Sequence, residues 1–406
     1  MLRVARGEKM GEKLEISLKT GSYYSILITL MLSGFATSIS SMLSGLLLID
    51  IGETFNVSVG LAGQMCTFSF VISIVFALLT SILSVKYNHK MLLQFGLLAY
   101  AATAIGCYLA PNFTAMVAAF SLSGIGYALA TTMVFTLTEL FPQKRRGEAI
   151  GFIIAGMSSS YLIGALVVPY LTSVGGWRLS FFGYLLPSSA LALILTTIII
   201  PRKSNSSDNG QQIKFSEGFK AIFSSRSAFY SLLGYLLFIV AFQGIIMYYT
   251  SFFRYTFLIS IGEASIIMLI EATSYTVGSV ISSRIANRVG RKLLIVISIL
   301  VAGIMIMVFS YSPIFVFTVG LLYVISFLMG VMDASSTGLI LEQLPLYAGI
   351  MMSLQRAVNQ AGGSIGSGLG GAILTFSSYN SMFLVVGVFG VASAIVFYWF
   401  TIDSSF

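Results

Sequence analysis

The chain has 406 residues, of which 57% are hydrophobic and only 9% are charged, with a formal net charge of +8 and a mean hydropathy of +0.95. A soluble globular domain carries about a quarter of its residues as charged side chains, so this composition excludes an ordinary water-soluble protein. The single histidine and the two cysteines also argue against zinc sites, catalytic triads and disulfide frameworks. We therefore expect no enzyme activity and no cofactor.

Long apolar runs follow one another along the whole chain. At about 20 residues per membrane-spanning helix and about 10 to 14 per connection, the length accommodates roughly twelve spans. The first six are predicted at residues 23–49, 59–84, 91–110, 112–138, 148–172 and 179–200, and the second six at 228–252, 264–283, 292–311, 313–341, 349–376 and 380–401. The sequence thus predicts an all-α membrane protein with twelve transmembrane helices in two pseudo-symmetric six-helix bundles. Their domains are residues 1–200 and 228–406, and the polar segment 201–227 is a cytoplasmic linker.

Lysine and arginine residues concentrate in alternate connections between the predicted spans. Most of the 22 basic residues fall in the amino-terminal segment, in the connections after the second, fourth and eighth spans, and in the linker. Because basic short loops stay on the cytoplasmic side, we expect a multi-pass protein of the cell membrane with both termini in the cytoplasm. The same asymmetry explains the net charge through contact with the lipid bilayer, and nucleic acid is not expected as a partner.

The two sets of six spans are related by an internal repeat. One constant shift along the chain places Lys90 on Lys292 and Pro111 on Pro313, and it places the basic second connection on the basic eighth. Two such units in the same orientation imply bundles related by an axis along the membrane normal, with a binding site between them near the midplane. This symmetry favours rocking of one bundle against the other.

The segment between the eighth and ninth spans resembles a known family. Residues 283–292 read SRIANRVGRK and are similar to the Gly-x-Leu-Ala-Asp-Arg-x-Gly-Arg-Arg loop of the major facilitator superfamily. A more degraded first copy, SILSVKYNHK, occupies residues 81–90. Within the superfamily, residues 55–64 and 175–181 resemble the twelve-span drug/proton antiporters and their sugar-efflux-like relatives.

The resemblance implies that the basic connections act as a cytoplasmic gate. Their side chains can bind helix C-terminal carbonyls and acidic residues of the other bundle, which would hold one access state closed. The gate candidates are Arg288, Gly290, Arg291 and Lys292 in the second copy and Lys86 and Lys90 in the first. Positive-inside topology alone also explains these residues, and Val85 and Asn287 lack the charge with which a latch would pair.

Asp333 is a carboxylate inside the predicted tenth span. An ionisable group in hydrocarbon is costly and marks a functional site by default. Helical spacing places Ser336 and Thr337 on the same face, and the resemblance places the first, fourth, seventh and tenth spans around the substrate cavity. We expect Asp333 either to carry a proton or contact substrate, or to make a structural hydrogen bond between helices.

Glu271 lies inside the extracellular end of the predicted eighth span. Ser274 and Tyr275 follow it on the same face. Its depth differs from that of Asp333. A partly desolvated carboxylate there suits a site that takes up a proton outside and releases it when water enters from within. The alternative is an interfacial glutamate at the end of a tilted helix.

Arg356 lies near the cytoplasmic end of the predicted eleventh span, at roughly the depth of Asp333. It either pairs with Asp333 or extends to lipid phosphate. Asn359 and Gln243 supply neutral hydrogen-bonding groups for a cavity. Gln243 is the preferred candidate, because the seventh span is expected to line the pathway.

Glycines recur in the fifth and eleventh spans. Gly362, Gly366 and Gly370 are spaced to share a helix face, and the repeat places Gly164 on Gly366. Small residues let neighbouring membrane helices approach closely. We expect these glycines to pack helices and not to cradle a phosphate, because no Lys-Ser or Lys-Thr pair follows them.

The sequence as a whole predicts a secondary active transporter that works by alternating access, since no Walker motif is present to use ATP directly. The resemblance, with Asp333 and Glu271 as candidate carriers, favours proton-coupled efflux of small lipophilic molecules by a monomer. A sugar or organic-anion symporter or facilitator is the alternative, with Arg356 as the anion contact. Phe120 supports that alternative, because it stands where the antiporters carry a basic residue. A ligand-binding sensor without transport is the remaining possibility.

Overall fold

The structure, a computed structural model, describes residues 20–201 and 215–402. Within these ranges the chain is helical and has no strand, as the all-α prediction required. Long helices occur in the predicted number and order. We label them α1 to α12: Thr20–Leu46, Val59–Lys86, His89–Leu109, Phe113–Leu140, 146–174, 177–199, Arg226–Thr256, Ile261–Val289, Arg291–Phe309, Phe315–Gln343, Ala348–Phe376 and Tyr379–Phe400.

Ten stretches of the described chain are long and apolar enough to cross a membrane. One of them, Gln143–Ile199, contains both α5 and α6. The two helices are separated at Gly175 and Gly176, which leave helical geometry. Gly176 has φ +70°, a conformation that favours glycine. Helix α11 is not among the ten, and it is rich in glycine, serine and amide side chains.

The predicted basic amino terminus and residues 202–214 of the predicted linker lie outside the described residues. The later part of the linker forms a short helix, Phe215–Ser224, which packs against α7 and α11. We call the membrane face next to this helix the linker face, and the opposite face the far face. The domain boundaries themselves stay a prediction.

Polar residues at helix starts set the ends of several spans. Ser58 Oγ accepts the Leu61 amide proton at 3.1 Å before α2, and Asn112 Oδ1 accepts the Ala115 amide proton at 2.8 Å before α4. These caps satisfy backbone donors that have no partner within the helix. The connections are therefore short, and consecutive spans run antiparallel.

Two equivalent lysines show the internal repeat in three dimensions. Lys90, in the first turn of α3, donates to the carbonyls of Thr197 at 2.8 Å and Ile200 at 2.5 Å. Lys292, at the same place in α9, donates to the Thr401 carbonyl at 2.7 Å. Helix C-termini expose carbonyls that carry partial negative charge. Each lysine therefore ties the first turn of one helix to the end of α6 or α12 in its own bundle.

The bundles meet mainly where α2 packs on α11, α5 on α8, and α1 on α7. Backbones touch at the α2–α11 contact, where a Cβ built on Gly60 would lie 2.3 Å from the Gly371 carbonyl oxygen. Gly366 faces α7 instead, with its built Cβ 2.5 Å from the Val240 carbonyl oxygen. Helix α11 therefore uses one glycine face inside its own bundle and another at the bundle interface.

Candidate functional site

A cavity of about 510 Å³ lies between the two bundles. Helices α1, α2, α4 and α5 line it from one side and α7 and α8 from the other. Glu271 is the one charged side chain among its described lining residues. The rest of the wall consists of hydroxyls, aromatic rings and apolar groups, together with the Gln243 amide. This is the position between bundles that the repeat predicted.

Glu271 is buried in the cavity wall, with 5% of its surface exposed. The hydroxyls of Tyr249 and Ser326 lie near its carboxylate. Both hydroxyls are buried without a direct hydrogen-bond partner among the described residues. Buried polar groups normally have partners, so hydrogen-bonding capacity is unused around this carboxylate. The structure does not place Glu271 at an exposed helix end.

Several hydroxyls of the cavity wall have already used their protons. Ser44, Ser123, Thr273 and Thr276 donate to carbonyls of their own helices at 2.6–2.9 Å. Because the Ser123 proton is used in this way, Ser69 is the donor in the 2.8 Å bond between these two serines. A hydroxyl that donates internally still offers oxygen lone pairs. These hydroxyls therefore present acceptors to a ligand, whereas Ser73 and Tyr249 are lining hydroxyls without a described hydrogen-bond partner.

Helix α4 is irregular where it reaches the cavity. Residues Tyr127–Thr131 form a π-helical turn, and Tyr127 lines the cavity. Such turns interrupt regular helix geometry and occur frequently at functional sites. Thr132, directly after the turn, accepts a hydrogen bond from Arg356 across the bundle interface at 3.4 Å.

Asp333 lies outside the cavity lining and is held by two tyrosines. The Tyr235 hydroxyl donates to Oδ1 at 2.9 Å and the Tyr275 hydroxyl donates to Oδ2 at 2.7 Å. Asn359 Nδ2 donates to the Tyr235 oxygen at 3.2 Å. Tyr275 also lines the cavity. One side chain therefore connects the Asp333 cluster with the cavity that contains Glu271.

Several residues lie in surroundings that differ from those predicted from the sequence. The suggested pair of Asp333 with Arg356 is wrong, because the described residues show no ion pair between them and Arg356 donates to Thr132 instead. Arg356 and Asn359 are also absent from the cavity lining, whereas Gln243 lies in it. The sequence prediction missed Tyr235, for which an aromatic hydroxyl on the seventh span was the available signal.

An ion pair joins the bundles on the far face. Arg254, at the end of α7, donates to both oxygens of Asp50, at 2.5 and 3.1 Å, and to the Leu46 carbonyl at 3.1 Å. Asp50 lies on a short helix, Leu48–Phe55, directly after α1. The sequence prediction did not single out Asp50. Opposite charges at the ends of two spans that the repeat makes equivalent, the first and seventh, were the signal for it.

Further hydrogen bonds between the bundles lie on the same side of the cavity. Gln64 donates to the Gly368 carbonyl at 3.0 Å, and Ser265 donates to the Ala165 carbonyl at 2.8 Å. On the linker-face side, hydrogen bonds between two described residues of different bundles are limited to the one from Arg356. The described contacts therefore close the far face more firmly than the linker face.

Comparison with known proteins identifies this architecture. The family model of the Major Facilitator Superfamily matches residues 30–258 and 245–405. The chain belongs to this superfamily. The uncharacterized MFS-type transporter YceJ of Bacillus subtilis (strain 168) is 22% identical over 321 residues, which cover 79% of this chain and 81% of YceJ.

Solved structures of major facilitator transporters share the fold. A bacterial homologue of the human lysosomal transporter Spinster, in an inward-facing and unoccupied conformation, has a TM-score of 0.75 at 15% identity over 94% of this chain and 97% of that chain. A D-xylose-proton symporter has a TM-score of 0.75 at 17% identity over 94% and 98%. Likeness at these identities shows the fold. The family match makes the chain a multi-pass membrane transporter, and its assignment to the drug/proton antiporter branch stays a prediction.

The basic connections typical of the superfamily make contacts inside their own bundles. Arg291 forms an ion pair with Glu342, and Lys90 and Lys292 bind helix ends as described. Gly290 has φ +90°, which lets the chain turn sharply between α8 and α9. Of the remaining gate candidates, Arg288 is exposed and Lys86 lies 5.6 Å from the Tyr87 ring centroid. Their role as a gate stays a prediction.

Proposed function

We propose that this transporter exports small lipophilic molecules from the cytoplasm in exchange for protons. The observation that carries the proposal is the cavity between the bundles with a buried carboxylate, Glu271, in its wall. If the basic connections mark the cytoplasmic side, the far-face contacts close the cavity towards the outside of the cell membrane. The closed far face then corresponds to the state that loads substrate from the cytoplasm.

The cavity wall favours protonated amines within this class. It combines one carboxylate with several hydroxyls whose protons are used internally, and these groups accept hydrogen bonds from a ligand. The aromatic rings of Phe70, Tyr127, Tyr161 and Phe242 offer apolar contact and attract cations through their faces. An ammonium group beside Glu271 with an apolar body along these rings satisfies both parts of the wall.

A sugar symporter or facilitator is the second candidate. The Gln243 amide lies in the cavity and supplies both donors and an acceptor to a neutral hydroxylated ligand. An organic anion fits less well, because the described cavity lining contains no lysine or arginine. Anion binding would leave the Glu271 carboxylate next to a like charge.

The proposal is tested with purified protein in proteoliposomes that carry a pH gradient. Ethidium is a suitable probe, because it is a lipophilic cation with amino groups that crosses bilayers slowly and becomes strongly fluorescent on reaching DNA enclosed in the vesicles. We expect gradient-driven accumulation in wild-type vesicles and its loss when nigericin collapses the gradient.

The control is Glu271→Gln, which keeps the shape of the side chain and removes its charge. Uptake that is unaffected by nigericin refutes proton coupling. D-Xylose flux without ethidium flux supports the sugar alternative, and ethidium binding without any flux in sealed vesicles supports a sensor.

A further inference from the structure

We propose that Tyr275 links occupancy of the cavity to protonation of Asp333. In this arrangement a ligand in the cavity holds the Tyr275 hydroxyl on Asp333, whereas an empty cavity lets that hydroxyl leave. The inference rests on the proposed function and deepens it. It assigns substrate binding to the cavity with Glu271 and assigns the transported proton to Asp333.

Tyr275 lies between the two sites. Its hydroxyl donates to Asp333 Oδ2 at 2.7 Å, and its side chain forms part of the cavity wall. The Phe242 ring, also in the cavity wall, stacks on it at a centroid distance of 5.3 Å and an interplanar angle of 24°. Glu271 lies one helical turn before Tyr275 on the same face. The cavity therefore provides the space into which the Tyr275 side chain can rotate away from Asp333.

The helices that carry these residues are in backbone contact. A Cβ built on Gly330 of α10 would lie 2.1 Å from the Tyr275 carbonyl oxygen, and one built on Gly278 of α8 would lie 2.2 Å from the Phe327 carbonyl oxygen. Close backbone contact fixes the relative position of α8 and α10. Rotation of the Tyr275 side chain, and not separation of the helices, is therefore the motion that breaks its bond to Asp333.

The surroundings of Asp333 come from four other helices. Tyr235 of α7 donates to its other oxygen, and Tyr127 of α4 lies near both Asp333 and Arg356 of α11. Glu271 of α8 is the nearby carboxylate one helical turn before Tyr275. An ionised carboxylate only accepts hydrogen bonds, which matches an Asp333 that receives two hydroxyl donors in this structure.

The proton step follows from these hydrogen bonds. When Tyr275 rotates into an empty cavity, Oδ2 loses its donor and forms an O–H bond with a proton from hydronium, which becomes water. When a ligand fills the cavity, the ring is pressed back, and Asp333 gives its proton to water as the Tyr275 hydroxyl returns. Ligand and proton thus occupy the protein alternately, as exchange requires, although they bind different carboxylates.

The test counts protons released when ethidium binds to the full-length protein in detergent. Calorimetric titration in two buffers with different ionisation enthalpies gives this number directly. We expect the wild type to release up to one proton per ligand, and Tyr275→Phe to bind ethidium with an affinity that no longer depends on the protonation of Asp333 and to release none. Saturable binding also shows that the variant is folded.

Two conservative variants make the comparison specific. Tyr235→Phe removes the other donor to Asp333 but does not alter the described cavity wall, so ligand-linked release should persist with a shifted pH dependence. Tyr161→Phe alters the cavity wall without removing a described hydrogen bond to Asp333, so release should persist there too. Infrared difference spectra provide a second measurement: ethidium should reduce a protonated carboxyl band that is missing in Asp333→Asn.

The outcomes separate this inference from the proposed function. Release by Tyr275→Phe equal to that of the wild type, or equal loss in both the Tyr275 and Tyr235 variants, overturns the link while leaving proton-coupled export intact. Ethidium binding by the wild type without proton release overturns the link together with the proton coupling on which it rests.

Discussion

Breaking the far-face ion pair should open the transporter towards the outside. The Asp50→Asn substitution removes the charge that binds Arg254 with two hydrogen bonds. A hydrogen bond to a charged group contributes about 1.5–3 kcal/mol. The side chains of Arg254 and Asp50 are 14% and 21% exposed. Solvent screening therefore places the effect at the lower end of this range. A change of ~1.4 kcal/mol corresponds to a tenfold shift in the ratio of the two access states.

A native cysteine serves as the reporter for this shift. Cys66 lines the cavity and is 4% exposed, and Cys107, the other cysteine of the sequence, is fully buried. A membrane-impermeant maleimide is added from the far face to membrane vesicles of known orientation. We expect Asp50→Asn to raise the initial rate of Cys66 labelling by about tenfold, because the reagent then reaches the cavity from outside.

Matched variants show whether the Arg254–Asp50 ion pair itself is responsible for the change in labelling rate. Glu342→Gln breaks the ion pair with Arg291, which lies within one bundle, and should leave the labelling rate unchanged. Exchange of the charges, with Asp50→Arg and Arg254→Asp combined, should restore slow labelling. A rate for Asp50→Asn within twofold of the wild type refutes the reasoning, as does an equal rise in Glu342→Gln.

Three further predictions concern the ligand, the interface and the lysine anchors. Glu271→Gln should weaken the binding of adamantylamine, measured by calorimetry, by about tenfold or more, because a charge-assisted hydrogen bond is lost. The same substitution should weaken binding of the trimethylammonium analogue less. An equal loss of affinity for the two ligands contradicts a hydrogen bond from the ammonium group to Glu271. Gly60→Val should reduce ethidium export, since its Cβ meets backbone 2.3 Å away, whereas Gly151→Ala, where a Cβ meets nothing within 4 Å, is the control. Lys90→Met and Lys292→Met should each lower the thermal unfolding midpoint by about 2 °C; a change in only one of them contradicts the structural equivalence of the two anchors.

The helix that carries each polar residue was predictable, but its orientation around the helix axis was not. Asp333 and Arg356 were expected at similar depths in the tenth and eleventh spans, which suggested a pair. In the structure they point to different partners, because Asp333 receives hydroxyls from α7 and α8 whereas Arg356 reaches α4. The sequence constrains rise along a helix well and constrains the packing angle of neighbouring helices poorly.

The amino-acid sequence by itself determined the number, order and repeat of the helices in this protein. The physical reason is that backbone groups in hydrocarbon must be satisfied within each segment, so every span is a long apolar helix that can be recognised locally. The basic connections and the glycines between the spans are further local signals for where each helix ends.

Only the tertiary structure decided which polar side chains meet. The cavity around Glu271, the two tyrosines on Asp333 and the Arg254–Asp50 pair join helices that are distant in the chain. Their partners depend on how α1, α7, α8 and α10 rotate and pack, and packing is a property of side-chain shape across the whole interface. For this reason the sequence located the candidate carboxylates, and the fold assigned them their neighbours.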